Sequence, residues 1–202
     1  MNRNLSLATL VALLLLCFPS IAAAHVGHEA GAGFMAGLLH PVFGLDHFLA
    51  MLSVGIVSAQ LGGKRIFTVP ALFVLSMIGG AVVGVRGYEW PLSEVGIAVS
   101  VIVLGFAIAV VKENDNSWPV MAVVVLFGSL HGHAHGMELP KAADPVYYAA
   151  GFVMSTTAIH LLGVAIGHGL TRRASLLSLL RHTGSVMAGM GLMILVNTVT
   201  SK

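Results

Sequence analysis

From residue 32 onward, apolar stretches long enough to cross a bilayer follow one another with only short polar breaks between them. A span needs roughly 17–25 mostly apolar residues. Six stretches meet that rule: 32–61, 66–85, 92–111, 118–137, 144–170 and 183–200. Charged residues make up only 9% of the chain and hydrophobic residues 57%. A water-soluble domain carries roughly 25% charged residues to wet its surface, so the surface of this chain must face lipid. Runs such as 101–111 are continuously apolar rather than alternating, which argues against the other spanning solution, a closed β-barrel. The expected fold is all-α: a polytopic integral membrane bundle of six transmembrane helices. No break is long enough to fold separately, so residues 25–202 are expected to form one membrane domain.

The first 24 residues read as a cleavable signal peptide. Arg3 supplies the charged start, 5–18 the apolar segment and Ala22-Ala23-Ala24 the small-residue cleavage site. The alternative is an uncleaved first helix. Cleavage would place His25 at the mature N-terminus, outside the membrane. The loops carrying Lys64, Arg65, Lys112, Arg172, Arg173 and Arg181 then fall in the cytoplasm, and Arg86, Lys141 and Lys202 fall outside. That bias obeys the positive-inside rule for a bacterial inner membrane protein. The only cysteine, Cys17, lies in the segment expected to be removed. The mature chain then has no thiolate zinc site, no iron–sulfur cluster and no covalently attached haem. A formal net charge of +2 without an extended basic run gives no footing for nucleic acid.

The chemistry lies in the ten histidines, all at or after position 25. Most fall inside predicted spans, where ionisable groups are costly and face a cavity or the bundle interior. The first cluster is His40-Pro41-x-x-Gly44-x-Asp46-His47. Pro41 removes a backbone hydrogen bond and Gly44 weakens the helix, so the span is expected to kink or break here. An unpaired carboxylate such as Asp46 near mid-bilayer costs about 2.5–3.5 kcal/mol or more. A cation, a proton or a structural pairing with His47 has to offset that. The second cluster, His131 to Glu138, places His131, His135 and Glu138 at i, i+4 and i+7, on one helix face. Two imidazoles and a carboxylate make a partial shell for a borderline divalent metal. His133 points the other way. The third cluster is Ser155-Thr156-Thr157 with His160, read as a ligand or as an orienter of ligands.

His25, with the free amine it would acquire, is a candidate collecting ligand outside the membrane, against the reading of a mobile tail. Met187, Met190 and Met193 are spaced along one helix, but methionine in a helix is more often apolar filler than a Cu(I) site. Gly80 and Gly84, like Gly163 and Gly167, stand at the small-xxx-small spacing that lets helices approach closely in lipid. That approach serves packing within the bundle or between copies in a homo-oligomer. Imidazole and carboxylate without thiolate suit Ni²⁺, Co²⁺ or Zn²⁺.

The pattern resembles the HupE/UreJ family of nickel/cobalt permeases. Its first signature is similar to His40-Pro41-x-x-Gly44-x-Asp46-His47 with Ala50-Met51, and its second to His131-Gly132-x-Ala134-His135-Gly136-x-Glu138. A less specific third is similar to Gly151-Phe152 with Thr157 and His160-Leu161. One departure is Leu130, where the second signature usually carries an aromatic residue. The resemblance spans essentially the whole mature chain. It implies a non-enzymatic permease moving Ni²⁺ or Co²⁺ across the inner membrane, in support of hydrogenase, urease or cobalamin pathways. Two other readings stay open on the residues alone: a b-type haem redox protein with axial histidines, and a membrane accessory that binds metal without conducting it.

Overall fold

A computed structural model describes residues 30–139 and 144–201. The expected signal segment, His25 and the loop bearing Lys141 lie outside those residues. The described chain is helical in seven segments: α1 (Ala30–Phe43), α2 (Leu45–Leu61), α3 (Arg65–Val85), α4 (Ser93–Val110), α5 (Trp118–Glu138), α6 (Pro145–Thr171) and α7 (Ala174–Thr200). The helices α3 to α7 are each long and apolar enough to cross a membrane, and α1 with α2 forms a sixth candidate bent by 76°. The protein is thus a multi-pass helical membrane protein of the expected class.

The bend falls where the sequence weakens the helix. Pro41 lies in the last turn of α1, and Gly44 is extended at φ −76° and ψ 103°. The Gly44 amide still closes the turn onto the His40 carbonyl at 3.0 Å. A Cβ at Gly44 would stand 2.9 Å from His47 Nδ1 and 3.4 Å from Asp46 Oδ1. Glycine at the break therefore makes room for the two polar side chains that follow it.

Three helix pairs organise the bundle: α3 on α5, α4 on α7, and α6 along the bent α1–α2 segment. Without a hydrophobic drive between helices in lipid, close backbone contact carries much of the association. A Cβ at Gly80 would overlap the Ser129 carbonyl, and one at Gly132 the Met77 carbonyl. Gly163 meets the backbone of Leu52 and Gly55 in the same way. The spaced glycines thus serve contacts inside one chain. Met187 packs into the core, where its sulfur meets the Ser53 hydroxyl at 3.6 Å, while Met193 is exposed, so the methionines act as filler.

One boundary differs from expectation. The polar break read at 171–181 is short, because α7 starts at Ala174 rather than near residue 183. Leu176, Leu177, Leu179 and Leu180 surround the polar residues and carry the helix back to Arg172-Arg173, and Leu180 is 1% exposed. Arg181 sits inside the helix, where a long aliphatic stem lets its charge reach the interface. The end holding Lys64, Arg65, Lys112, Arg172 and Arg173 is called the basic end below.

Candidate metal centre

The bend delivers two histidines from one broken span. His40 ends α1 and His47 lies in the first turn of α2, and their ring centroids are 5.6 Å apart. Helix α5 supplies His135, whose centroid is 4.6 Å from His40 and 4.5 Å from His47. One donor nitrogen from each of His40, His47 and His135 lies within 4.8 Å of the others. Two nitrogens on one ion, each about 2.1 Å away, stand at most about 4.2 Å apart, so a bound ion asks only for small rotations of the rings. His131, one turn from His135, adds a fourth imidazole with its centroid 5.2 Å from His47.

The free nitrogens are left over from a consistent pattern. His47 Nδ1 pairs with Asp46 Oδ1 at 2.6 Å, and that oxygen also accepts from the His47 amide at 2.8 Å. His131 Nδ1 donates to the Phe127 carbonyl at 2.8 Å. His40 Nδ1 meets the Tyr148 hydroxyl at 3.1 Å. Holding one ring nitrogen this way fixes the tautomer and aims the other at the metal. His47 Nε2 and His131 Nε2 are buried without a hydrogen-bond partner among the described residues, and His135 is unpartnered at both nitrogens. Buried polar atoms are nearly always paired, so this concentration of unpaired imidazole nitrogen makes the cluster a candidate for binding a ligand.

The surroundings are dry. Phe152 stacks beside His135 with centroids 4.3 Å apart, and Tyr148 stacks on Phe152. A cavity of about 310 Å³ between α3, α5 and α6 reaches His135 along an apolar wall. Such a wall keeps water out and strengthens any charge interaction within.

The other expected residues are placed as follows. Asp46 is part-buried and spends one oxygen on His47. His160 is buried and is not one of the three converging histidines; the Phe73 ring contacts both it and His131. Glu138 continues α5 beyond His135; its side chain, like His25, lies outside the described structure. His133 is fully engaged elsewhere: Nδ1 with the Ser93 hydroxyl at 2.8 Å, Nε2 donating to the Tyr88 carbonyl at 2.6 Å, and its ring stacked on Trp90. His168 and His182 are exposed near the basic end.

The sequence reading does not single out Tyr148 or Phe73, and it names Phe152 only as part of the third signature. A signal for them exists. Tyr148, Phe152, Thr156 and His160 follow one another every four residues on α6, as Phe127, His131 and His135 do on α5 and Val69, Phe73 and Met77 on α3. Each series is one inward stripe.

These features define a class: a multi-pass helical membrane protein with a buried, imidazole-rich, carboxylate-supported cluster at a broken span. Comparison with known proteins gives the family. The family described as HupE / UreJ protein matches residues 13–194. Protein HupE of Rhizobium leguminosarum bv. viciae is 46% identical over 152 residues, covering 75% of this chain and 78% of that protein. The chain belongs to the HupE/UreJ family. No solved structure matches it.

Proposed function

We propose that this protein is a secondary permease that carries a divalent transition metal, Ni²⁺ or Co²⁺, across the bacterial inner membrane through the His40/His47/His135 centre. The observation that carries this reading is the convergence of three imidazoles at the bend, with unpaired nitrogens and the Asp46 carboxylate behind one of them. A dication offsets the cost of that carboxylate in the membrane. Family membership favours nickel and cobalt, since the HupE/UreJ family is associated with their transport; the ligand chemistry alone accepts zinc as readily.

In this reading the metal arrives from outside, where His25 and Glu138 are positioned by sequence to collect it. It exchanges water for His135, His40 and His47, with His131 as the next donor inward. Asp46 acts through His47, fixing the orientation of its ring, and lends negative charge without spending a coordination position. Imidazole must be neutral to bind metal, so protons compete with the metal for this site and acidification weakens uptake.

A b-type haem fits poorly. Axial histidines have to face each other across an open slot, whereas these rings meet edge to face in direct contact, with Phe152 packed against them. The test is flux of Ni²⁺, Co²⁺ and Zn²⁺ into proteoliposomes. The protein is expected to accumulate Ni²⁺ or Co²⁺ inside the vesicles, and His135→Ala to lower the rate by about 100-fold or more. Tight binding with no flux would instead make the protein a metal-holding accessory.

A further inference from the structure

His160 is set apart from the triad and has no structural task visible around it. It is 1% exposed, and neither ring nitrogen has a hydrogen-bond partner among the described residues. Thr156, one turn earlier on the same face of α6, is 0% exposed and its hydroxyl is equally unpartnered. A helical threonine usually returns its hydroxyl to a carbonyl in the preceding turn. Thr157 does so, donating to Val153 at 2.7 Å. Thr156 does not. Two adjacent buried polar groups without partners are costly and need an account.

Phe73 packs against histidines of both groups, this pair and the cluster at the bend. Its ring is 0% exposed, with centroids 5.5 Å from His131 and 5.2 Å from His160. The cavity that reaches His135 opens between α3, α5 and α6, with Met77 in its wall. A second cavity of about 400 Å³ lies nearer the basic end, between α3 and α6, and reaches His160 past Phe67, Pro70 and Val74. Phe73 lines neither cavity, and its ring contacts His160 on one helix and His131, one turn from His135, on another. Helix α3 packs chiefly on α5 and meets α6 only lightly, so this seam is loosely packed. Pro70, within one turn of Phe73, removes a backbone hydrogen bond from α3 at that level.

We propose that His160 and Thr156 form a second metal station on the basic-end side of Phe73, and that the Phe73 ring is the gate between it and the His40/His47/His135 centre. This rests on reading the triad as a transport site. The ligand class is the same borderline divalent cation, held by one imidazole and one hydroxyl with water completing its shell. Among the described residues no carboxylate pairs with His160 as Asp46 pairs with His47. The second station therefore holds a dication less tightly than the first, which suits a position from which metal leaves. His131, in contact with the Phe73 ring, is the donor that passes the ion when the ring swings aside.

The probe is Co²⁺ with the full-length protein, read as equilibrium binding in detergent and as flux into proteoliposomes. His160→Ala is expected to cut flux by about tenfold or more while high-affinity Co²⁺ binding stays within about twofold of wild type. His135→Ala is expected to lose both. Phe73→Trp, which enlarges the gate, is expected to slow flux by about fivefold with binding unchanged, and Phe73→Leu to leave flux equal to or faster than wild type. Flux in His160→Ala within about twofold of wild type overturns the second station and leaves the transport reading standing. So does a loss of high-affinity binding beyond about tenfold, because His160 would then belong to the first site. Wild-type protein that neither binds nor moves Co²⁺ overturns both.

Discussion

His133 and His135 stand two residues apart on α5, and both are buried, at 2% and 4% exposure. On one face of the helix His133 is satisfied at both nitrogens by Ser93 and Tyr88 and is stacked on Trp90. On the other face His135 packs against the rings of His40, His47 and Phe152 and has no hydrogen-bond partner among the described residues. Burial and residue type are the same, so neither distinguishes a structural histidine from a metal ligand. The inventory of partners does. A buried imidazole that spends both nitrogens on its own protein stabilises the fold. One that keeps both nitrogens free is held at a cost that only a ligand repays.

That contrast is open to test from both faces. The largest effect is expected on the triad side. Saturating Ni²⁺ or Co²⁺ should raise the thermal midpoint of the wild type, because a ligand that binds only the folded state stabilises it. The shift should vanish in His135→Ala and persist in His133→Ala, as followed by thermal unfolding in detergent. Asp46→Asn should come next. It keeps the shape of the pair but removes the charge behind His47, and metal affinity should fall about 10–100-fold in a binding titration. Tyr148→Phe should cost less, about threefold in affinity, since it removes only the hydroxyl that orients His40. On the opposite face, His133→Ala should leave metal uptake per folded molecule unchanged. Its cost should appear as about 1–3 kcal/mol of lost stability, because Ser93 and the Tyr88 carbonyl lose their partner. Loss of uptake in folded His133→Ala protein would break the comparison.

Much of this arrangement was legible in the sequence. The spans follow from hydropathy and length, and the break at Pro41 and Gly44 follows from backbone chemistry alone. The pairing of His131 with His135 follows from the helical period. What was not legible is what depends on distant chain segments. Nothing in the local pattern says that Phe73 of α3 meets both His160 and His131, because three helices far apart in sequence come together there. The start of α7 at Ala174 was missed because Arg172, Arg173 and Arg181 read as a loop, whereas the leucines between them keep the helix going. Asp46 could be read as pairing with a cation, a proton or His47. The 2.6 Å contact with His47 is set by the turn at Gly44, which sequence alone locates but does not shape.

The central claim is that the imidazoles at the bend hold the metal. Anomalous scattering from crystals of the protein grown with Co²⁺ or Ni²⁺ tests it most directly. The account predicts a peak between His40, His47 and His135, absent in His135→Ala. A metal bound beside His133, or only at the N-terminal His25 with nothing at the bend, would contradict it.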